Sequence, residues 1–176
     1  MGKGTIVKLS MNRIIIAVLF VSVVLFVAFG FLYIWLHGSL EVRVTLTSLL
    51  LFVVSYIILI CFHEALHLIA FHWIGHVEWS KLKYGVNWKL GIAYAHSTMP
   101  ITVKQMKWVL FMPFVPTAVI PLLFGLIFKS PSFLLLGILM VAGCIGDYAL
   151  YQKLKPFSNK AKVIDHPTKP QCTVYE

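Results

Sequence analysis

Four long runs of apolar residues, separated by shorter polar segments, dominate the chain. They cover about residues 14–36, 44–74, 108–128 and 132–151. A helix needs about 20 apolar residues to cross the hydrocarbon core of a bilayer, and each run reaches that length. The pattern therefore predicts an all-α polytopic membrane protein with four transmembrane helices.

The third run contains three prolines, Pro113, Pro116 and Pro121. Proline has no backbone N–H, so each one removes a hydrogen bond from the helix. A carbonyl group freed in this way needs another partner inside the protein, because lipid offers none. We expect a kinked third helix whose freed carbonyl groups are bonded elsewhere.

The composition agrees with a membrane protein. Hydrophobic residues make up 60% of the chain and charged residues only 12%, whereas soluble domains have about 45–50% and about 25%. Lys and Arg outnumber the acids by 15 to 6, a balance that in a soluble protein would suggest nucleic-acid binding. Here the cations flank apolar runs, so the bilayer is the expected partner and nucleic acid is not.

The distribution of the cations predicts the orientation. Thirteen of them lie in the N-terminal segment, the loop at 75–107 and the C-terminal segment, and only Arg43 and Lys129 lie in the other two loops. Cytoplasmic loops are rich in Lys and Arg. We therefore expect a multi-pass cell-membrane protein with both termini cytoplasmic. The expected units are a membrane domain, residues 1–155, and a cytoplasmic tail, residues 156–176.

The first run is interpreted as an uncleaved anchor. It is longer than the apolar region of a typical signal peptide, and no small-x-small cleavage site follows it.

The loop at 75–107 is the only long connection between apolar runs. Two partly alternating stretches, 79–85 and 90–96, are bounded by turn residues and predict a β-hairpin. A hairpin beside a membrane site could hold an extended substrate by adding a strand to its edge. A loop that only covers the helix ends is the alternative.

The second run contains a metal-binding motif. His63, Glu64 and His67 form the pattern HExxH. On a helix, residues i and i+4 project from one face, so both imidazole rings can bind one ion. Zinc prefers such nitrogen ligands and lowers the pKa of its water to about 7. Glu64 is placed to take the proton from that water as a general base.

The apolar surroundings of the motif strengthen the metal hypothesis. An ionisable residue at the centre of a spanning helix costs roughly 2.5–3.5 kcal/mol, and three occur here within five residues. A divalent cation would offset that cost. A structural cluster of polar side chains between helices is the alternative.

Asp147 is the best candidate for a third metal ligand. It is the only acid besides Glu64 in the last three apolar runs. At 1.5 Å per residue, His67 and Asp147 lie about 12 Å and about 9 Å before the polar ends of their runs, so their depths are similar. The alternatives are a carboxylate that supports a ligating histidine, or a helix-pairing role beside Gly143 and Gly146.

His96, in the second loop, is the other candidate for the third ligand. Its imidazole could instead stabilise the oxyanion of a tetrahedral intermediate as a catalytic residue, and Tyr94 offers a weaker version of that role. In the tail, Asp165 and His166 could bind metal or close over the site. A tail that docks against the second loop is the simpler interpretation.

The ordered set of motifs resembles a family of bacterial membrane proteins described as "putative zincin peptidases". The resemblance covers roughly Phe62 to Glu176. It rests on HExxH at 63–67, the segment 91–96 with Pro100, Lys104-Gln105, Pro113, Gly146-Asp147, Asp165-His166-Pro167 and Val174-Tyr175-Glu176. It implies a zinc-binding fold with peptidase chemistry.

An intramembrane HExxH paired with an aspartate on a later helix is also similar to site-2 proteases. That resemblance implies His63, His67 and Asp147 as metal ligands and Glu64 as the general base. Here Gly146 precedes the aspartate, where site-2 proteases have a Leu-Asp-Gly setting, and no PDZ-like module is found. The resemblance therefore extends to mechanism and not to substrate choice.

The leading hypothesis is a zinc-dependent, membrane-embedded peptidase that hydrolyses a peptide or membrane-protein substrate near the cytoplasmic face. One alternative is a non-catalytic metal-binding scaffold or partner subunit. Another is a metal carrier, which at this size would need a homo-oligomer to form a pathway. Glu64 discriminates among them, because only hydrolysis needs an acid beside the first histidine.

Overall fold

Six α-helices form most of the described chain. The computed structural model describes residues 4–42, 44–87, 92–166 and 171–176. The helices are α1 (Met11–His37), α2 (Leu46–Trp73), α3 (Val103–Phe111), α4 (Ile120–Ile127), α5 (Pro131–Gly143) and α6 (Ile145–Leu154). Four stretches, namely α1, α2, α3 to α4, and α5 to α6, are long and apolar enough to cross a membrane. The prediction of four apolar helices of membrane-spanning length is confirmed.

The third apolar stretch begins earlier than its hydrophobic pattern indicates, at Val103 instead of about residue 108. Thr102 starts it, because its hydroxyl accepts a hydrogen bond from the backbone N–H of Gln105, and the Gln105 side chain accepts one from the N–H of Thr102. This reciprocal cap starts a helix whose first turns carry Lys104 and Lys107. Because those turns are polar, the helix begins before the apolar run does.

The same stretch is broken at its prolines, as predicted. Helix α3 ends at Phe111, a π-helical turn occupies Val115–Val119, and α4 begins at Ile120. Single π-helical turns inside α-helices frequently mark functional sites. The break lies opposite the HExxH motif of α2.

The predicted hairpin is present in the second loop. Strands β2 (Leu82–Asn87) and β3 (Ile92–Ser97) pair antiparallel, with Lys83 opposite His96. Gly91, which contributes to the family resemblance, lies outside the described residues.

A second sheet, which the sequence did not predict, corrects the all-α fold class. Strands β1 (Thr5–Lys8), β4 (Ile101–Thr102), β5 (Lys162–Asp165) and β6 (Gln171–Tyr175) form an antiparallel sheet in the order β1-β6-β5-β4. These strands are two to five residues long, too short to show a clear alternation. Two of the three pairings, β1 with β6 and β4 with β5, also join distant parts of the chain. The protein is mostly helical with two small antiparallel sheets.

This four-stranded sheet joins the tail to the helices. Val163 of β5 lies opposite Ile101, so the tail docks against the second loop. Ile101, Val163 and Val174 are buried with Phe71 of α2 and Leu154 of α6 in one hydrophobic cluster. The end of the motif-bearing helix is therefore anchored to the C-terminal strands.

The glycines predicted to bring helices together are not the ones that do so. A Cβ atom at Gly143 or Gly146 would meet no atom within 4 Å, so no described helix packs closely there. A Cβ at Gly125 would instead lie 2.2 Å from the Leu134 nitrogen, and one at Gly137 would lie 2.4 Å from the Leu122 backbone. These two glycines permit the tight contact between α4 and α5.

The orientation remains a prediction from the loop charges. We expect both termini and the second loop to be cytoplasmic, although Lys3, Arg43, Lys89 and Lys169, on which the charge pattern also depends, lie outside the described residues. Ser39 follows α1 and Ser158 follows α6, and both are exposed. In intact cells, a membrane-impermeant thiol reagent should label Ser39→Cys and spare Ser158→Cys.

The labelling needs a background without competing thiols, so Cys61, Cys144 and Cys172 are first replaced by serine. After cell lysis both introduced cysteines should react. External labelling of Ser158→Cys with protection of Ser39→Cys would reverse the orientation.

Candidate metal centre

His63, His67 and Asp147 converge at one point between α2 and α6. The Nε2 atoms of His63 and His67 lie 3.1 Å and 3.4 Å from the same oxygen, Oδ2 of Asp147. One ligand-capable atom from each residue lies within 4.8 Å of the other two. Both histidines are buried, and the side chain of Asp147 is 25% exposed. The structure thus brings together the three residues that the sequence singled out as ligands.

A carbonyl freed by proline fixes the ring of His67. Pro113 has no N–H to donate to the carbonyl of Val109, four residues earlier. That carbonyl accepts a hydrogen bond from Nδ1 of His67 at 3.0 Å. Because a carbonyl can only accept, Nδ1 carries the hydrogen and Nε2 of the neutral ring is left with its lone pair. The expectation that a freed carbonyl finds a partner is confirmed here.

Thr117 fixes the ring of His63 in the same way. Its hydroxyl donates to the Pro113 carbonyl at 2.8 Å. The Thr117 oxygen lies 3.0 Å from Nδ1 of His63 and, with its own hydrogen already used, accepts the hydrogen of that nitrogen. Both histidines therefore present Nε2 to Asp147. Bonds of this kind orient metal-ligating histidines and set their tautomer.

This arrangement requires a positive charge between the three residues. Two nitrogen lone pairs that face one carboxylate oxygen repel it unless a proton or a cation lies between them. Two ligands about 2.1 Å from one zinc ion lie at most about 4.2 Å apart, and both Nε2–Oδ2 distances are shorter than that. Two histidines and a carboxylate are a zinc ligand set that leaves a fourth position open. The residues fit zinc.

Glu64 lies beside the three converging residues without being one of them. It is half-buried, and its carboxylate interacts with His63, His67 and Asp147 and with the backbone N–H of Ala95 in β3. The edge of the hairpin is therefore next to the centre. A carboxylate in this position can accept a proton from a molecule held at the centre.

His96 follows Ala95 in β3 but is not a member of the ligand set. Among the described residues, the group that could hold an ion consists of His63, His67 and Asp147, so Asp147 and not His96 is the third candidate ligand. His96 is 5% exposed, and its Nδ1 atom is buried without a hydrogen-bond partner in the described part of the chain. Burial, followed by the charges of Lys83 and His166, lowers its pKa.

Two groups that hold the histidines were not predicted from the sequence. Thr117 and the Val109 carbonyl hold the histidines, yet nothing in their local sequence indicates that role. The signal was Pro113, because both hydrogen-bond arrangements depend on it.

No curated protein and no solved structure matches this chain. A model of the family described as "putative zincin peptidase" matches residues 56–162, which is more than half of the chain. The match contains the HExxH motif, the prolines of the third stretch and Asp147. With its two histidines, its glutamate and its aspartate placed as described, the chain belongs to the putative zincin peptidase family.

Proposed function

We propose that the protein is a zinc-dependent, membrane-embedded peptidase that hydrolyses a peptide bond near the cytoplasmic membrane face. The observation that carries the proposal is the convergence of both Nε2 atoms on Asp147 with Glu64 alongside. Family membership supports the same chemistry.

His63, His67 and Asp147 would hold the ion. When bound, zinc lowers the pKa of a coordinated water to about 7 and polarises a substrate carbonyl. The hydrogen bonds from His63 to Thr117 and from His67 to Val109 keep both rings in the required orientation.

Glu64 acts as the general base. Its carboxylate takes a proton from the attacking water as the water oxygen bonds to the carbonyl carbon. The N–H of Ala95 in β3 lies beside this carboxylate.

His96 is proposed to stabilise the oxyanion that forms on the carbonyl oxygen. Its lowered pKa keeps the ring neutral near pH 7, and a neutral imidazole still donates one hydrogen bond. Its buried Nδ1 has no competing partner among the described residues.

The substrate is proposed to bind as an extended strand along β3. Within the described residues β3 pairs only with β2, so its other edge has no strand partner there. The N–H of Ala95 places that edge beside Glu64. An extended segment, from a soluble peptide or from a membrane protein, can add to such an edge and bring its backbone carbonyl to the centre.

The proposal is tested by removing the metal. Detergent-purified protein should contain about one zinc per chain and should cleave members of a defined mixture of unstructured peptides, followed by mass spectrometry. A chelator should abolish cleavage, and added zinc should restore it. Cleavage that persists after the zinc has been removed would contradict the proposal.

A further inference from the structure

A cavity of about 250 Å³ lies between helices α1, α2 and α5. From α2, Ser48 and Phe52 line it, and both lie in the first two turns of that helix. At 1.5 Å per residue, about 22 Å of helix separates Ser48 from His63. The cavity therefore lies at the opposite end of α2 from the metal centre and is a separate site.

The cavity exists because α1 and α2 pack on different parts of α5. Tyr33 of α1 is buried in one hydrophobic cluster with Leu134, near the start of α5. Tyr56 of α2 packs in another cluster with Met140, further along α5. Between these two contacts α1 and α2 are apart, and a gap remains above α5.

The walls of the cavity are apolar. Among the described lining residues only Ser48 and Ser132 have polar side chains. The Ser48 hydroxyl already donates a hydrogen bond to the Thr45 carbonyl at 2.9 Å, as part of the cap of α2. Such walls suit a hydrocarbon better than a polar ligand. The apolar lining includes two residues from each helix, namely Phe26, Gly30, Leu49, Phe52, Leu134 and Ile138.

The cavity opens to the surface of the helices. Leu134 and Ile138 are buried and form its floor, whereas Phe26 and Leu49 are half-exposed at its rim. All four residues belong to stretches that are long and apolar enough to cross a membrane. In a bilayer the open side would therefore face lipid.

The size of the cavity fits one hydrocarbon chain. An apolar cavity of about 150 Å³ binds benzene, which has six carbon atoms. By proportion, a cavity of about 250 Å³ accommodates roughly ten carbon atoms. A sphere of that volume is only about 8 Å across, whereas a helix with its side chains is about 10–12 Å wide. The cavity is thus too narrow for a transmembrane helix of a substrate or of a second copy.

Charges of both signs lie next to the lining residues. Glu41 is exposed and lies between Leu40 and Val42, which both line the cavity. Lys129 is exposed two residues before Pro131, another lining residue. Both charges belong to loops that join apolar stretches at the same end of the molecule. They complement a headgroup that carries a phosphate and an amine.

We propose that this cavity binds an acyl chain of phosphatidylethanolamine, from the leaflet on the side opposite the metal centre. The chain fills the gap between α1 and α2, and its headgroup lies near Glu41 and Lys129. Atoms that line an empty gap lose their van der Waals partners, so a chain that fits is bound in preference to none. This proposal rests on the membrane location in the proposed function and not on peptidase activity.

The test fills the cavity from within. Gly30 lines it, and a Cβ atom at Gly30 would meet no atom within 4 Å, so Gly30→Leu adds a side chain without a clash. Ala28→Leu is the matched control, because Ala28 is exposed on the same helix and does not line the cavity. The full chain is purified in detergent, stripped of lipid and mixed with dioleoylphosphatidylethanolamine. Native mass spectrometry then counts the bound molecules.

The wild type and Ala28→Leu should each bind one phospholipid that survives detergent exchange. Gly30→Leu should bind it at least about tenfold more weakly, because the added side chain takes the space of about four methylene groups. Dioleoylglycerol, which has the same chains but neither phosphate nor amine, should also bind the wild type at least about tenfold more weakly. Circular dichroism and the elution volume report that both variants are folded.

A second measurement locates the chain. In vesicles of dioleoylphosphatidylethanolamine and dioleoylphosphatidylcholine, a phosphatidylethanolamine with a photoreactive group on its acyl chain should label peptides of α1, α2 and α5 that line the cavity. That labelling should fall in Gly30→Leu and persist in Ala28→Leu.

The proposal is overturned if the wild type retains no phospholipid, if folded Gly30→Leu binds as well as the wild type, or if dioleoylglycerol binds equally. A dimer of the wild type that Gly30→Leu dissociates would instead make this face an interface between copies. None of these results affects the peptidase proposal, which is tested by removal of zinc.

Discussion

Replacing Glu64 with glutamine should leave the zinc in place and lower peptide turnover by about 10²–10⁴-fold. The amide is nearly isosteric with the carboxylate, and Glu64 is not one of the three converging residues. Zinc binding should therefore persist. The amide cannot accept a proton from the attacking water, so turnover should be lost. Zinc content and peptide hydrolysis are measured on the same purified samples.

Glu78→Gln is the matched control, because Glu78 is exposed in the second loop. It should change neither measurement. If Glu64→Gln lost its zinc, Glu64 would be a ligand or would hold one, and the mechanism would need another base. If Glu64→Gln kept both zinc and turnover, Glu64 would have no catalytic role. If the protein were a scaffold or a metal carrier, Glu64→Gln should leave its assembly or transport function unchanged.

Removing both histidines should abolish zinc binding. His63→Ala/His67→Ala takes away two of three ligands and leaves Asp147 alone, which cannot hold the ion at an affinity that survives purification. Asp147→Ala should weaken binding while keeping the histidine pair. Metal content of purified protein and competition with a zinc-binding dye give the affinities. Full zinc occupancy in the double variant would rule out this site.

Loss of the hydrogen bond from His63 to Thr117 should lower the zinc affinity less than loss of a ligand does. Thr117→Val keeps the shape of the side chain but removes the oxygen that holds Nδ1, and loss of such a partner typically lowers metal affinity about 10- to 100-fold. Thr47→Val, on the exposed part of α2, is the matched control and should bind zinc normally. An unchanged affinity in Thr117→Val would mean that the tautomer of His63 is set by another group.

The metal ligands could be predicted from the sequence because they are ionisable residues within apolar runs. Charged and imidazole side chains are costly in apolar helices, so His63, His67 and Asp147 stood out against their surroundings, and a shared depth linked the last to the first two. Pro113 was equally informative, since a missing donor implies a free acceptor. Helical periodicity and the cost of burial are local properties, and a single sequence is enough to evaluate them.

The groups that support the ligands could not be predicted, because their roles depend on distant contacts. In the sequence Thr117 is one residue of an apolar run, and only the break in the helix at Pro113 places its hydroxyl next to His63. Strand β5 has only four residues, and its partner β4 begins at Ile101, before the last two apolar stretches. Pairings over such separations depend on how the helices are arranged, and no periodicity in a short strand encodes them.

The four-stranded sheet also constrains how the four apolar stretches can insert into a membrane. Strand β1 precedes the first apolar helix, β4 lies between the second and the third, and β5 and β6 follow the fourth. Strands on opposite sides of a bilayer cannot hydrogen-bond, so this sheet requires an even number of crossings between its members. A chain with one helix left outside the membrane would carry HExxH, yet its C-terminal strands would be stranded on the other side. Such a misinserted chain could not pair β5 with β4, and we expect it to lose the anchor that this sheet gives to the end of α2.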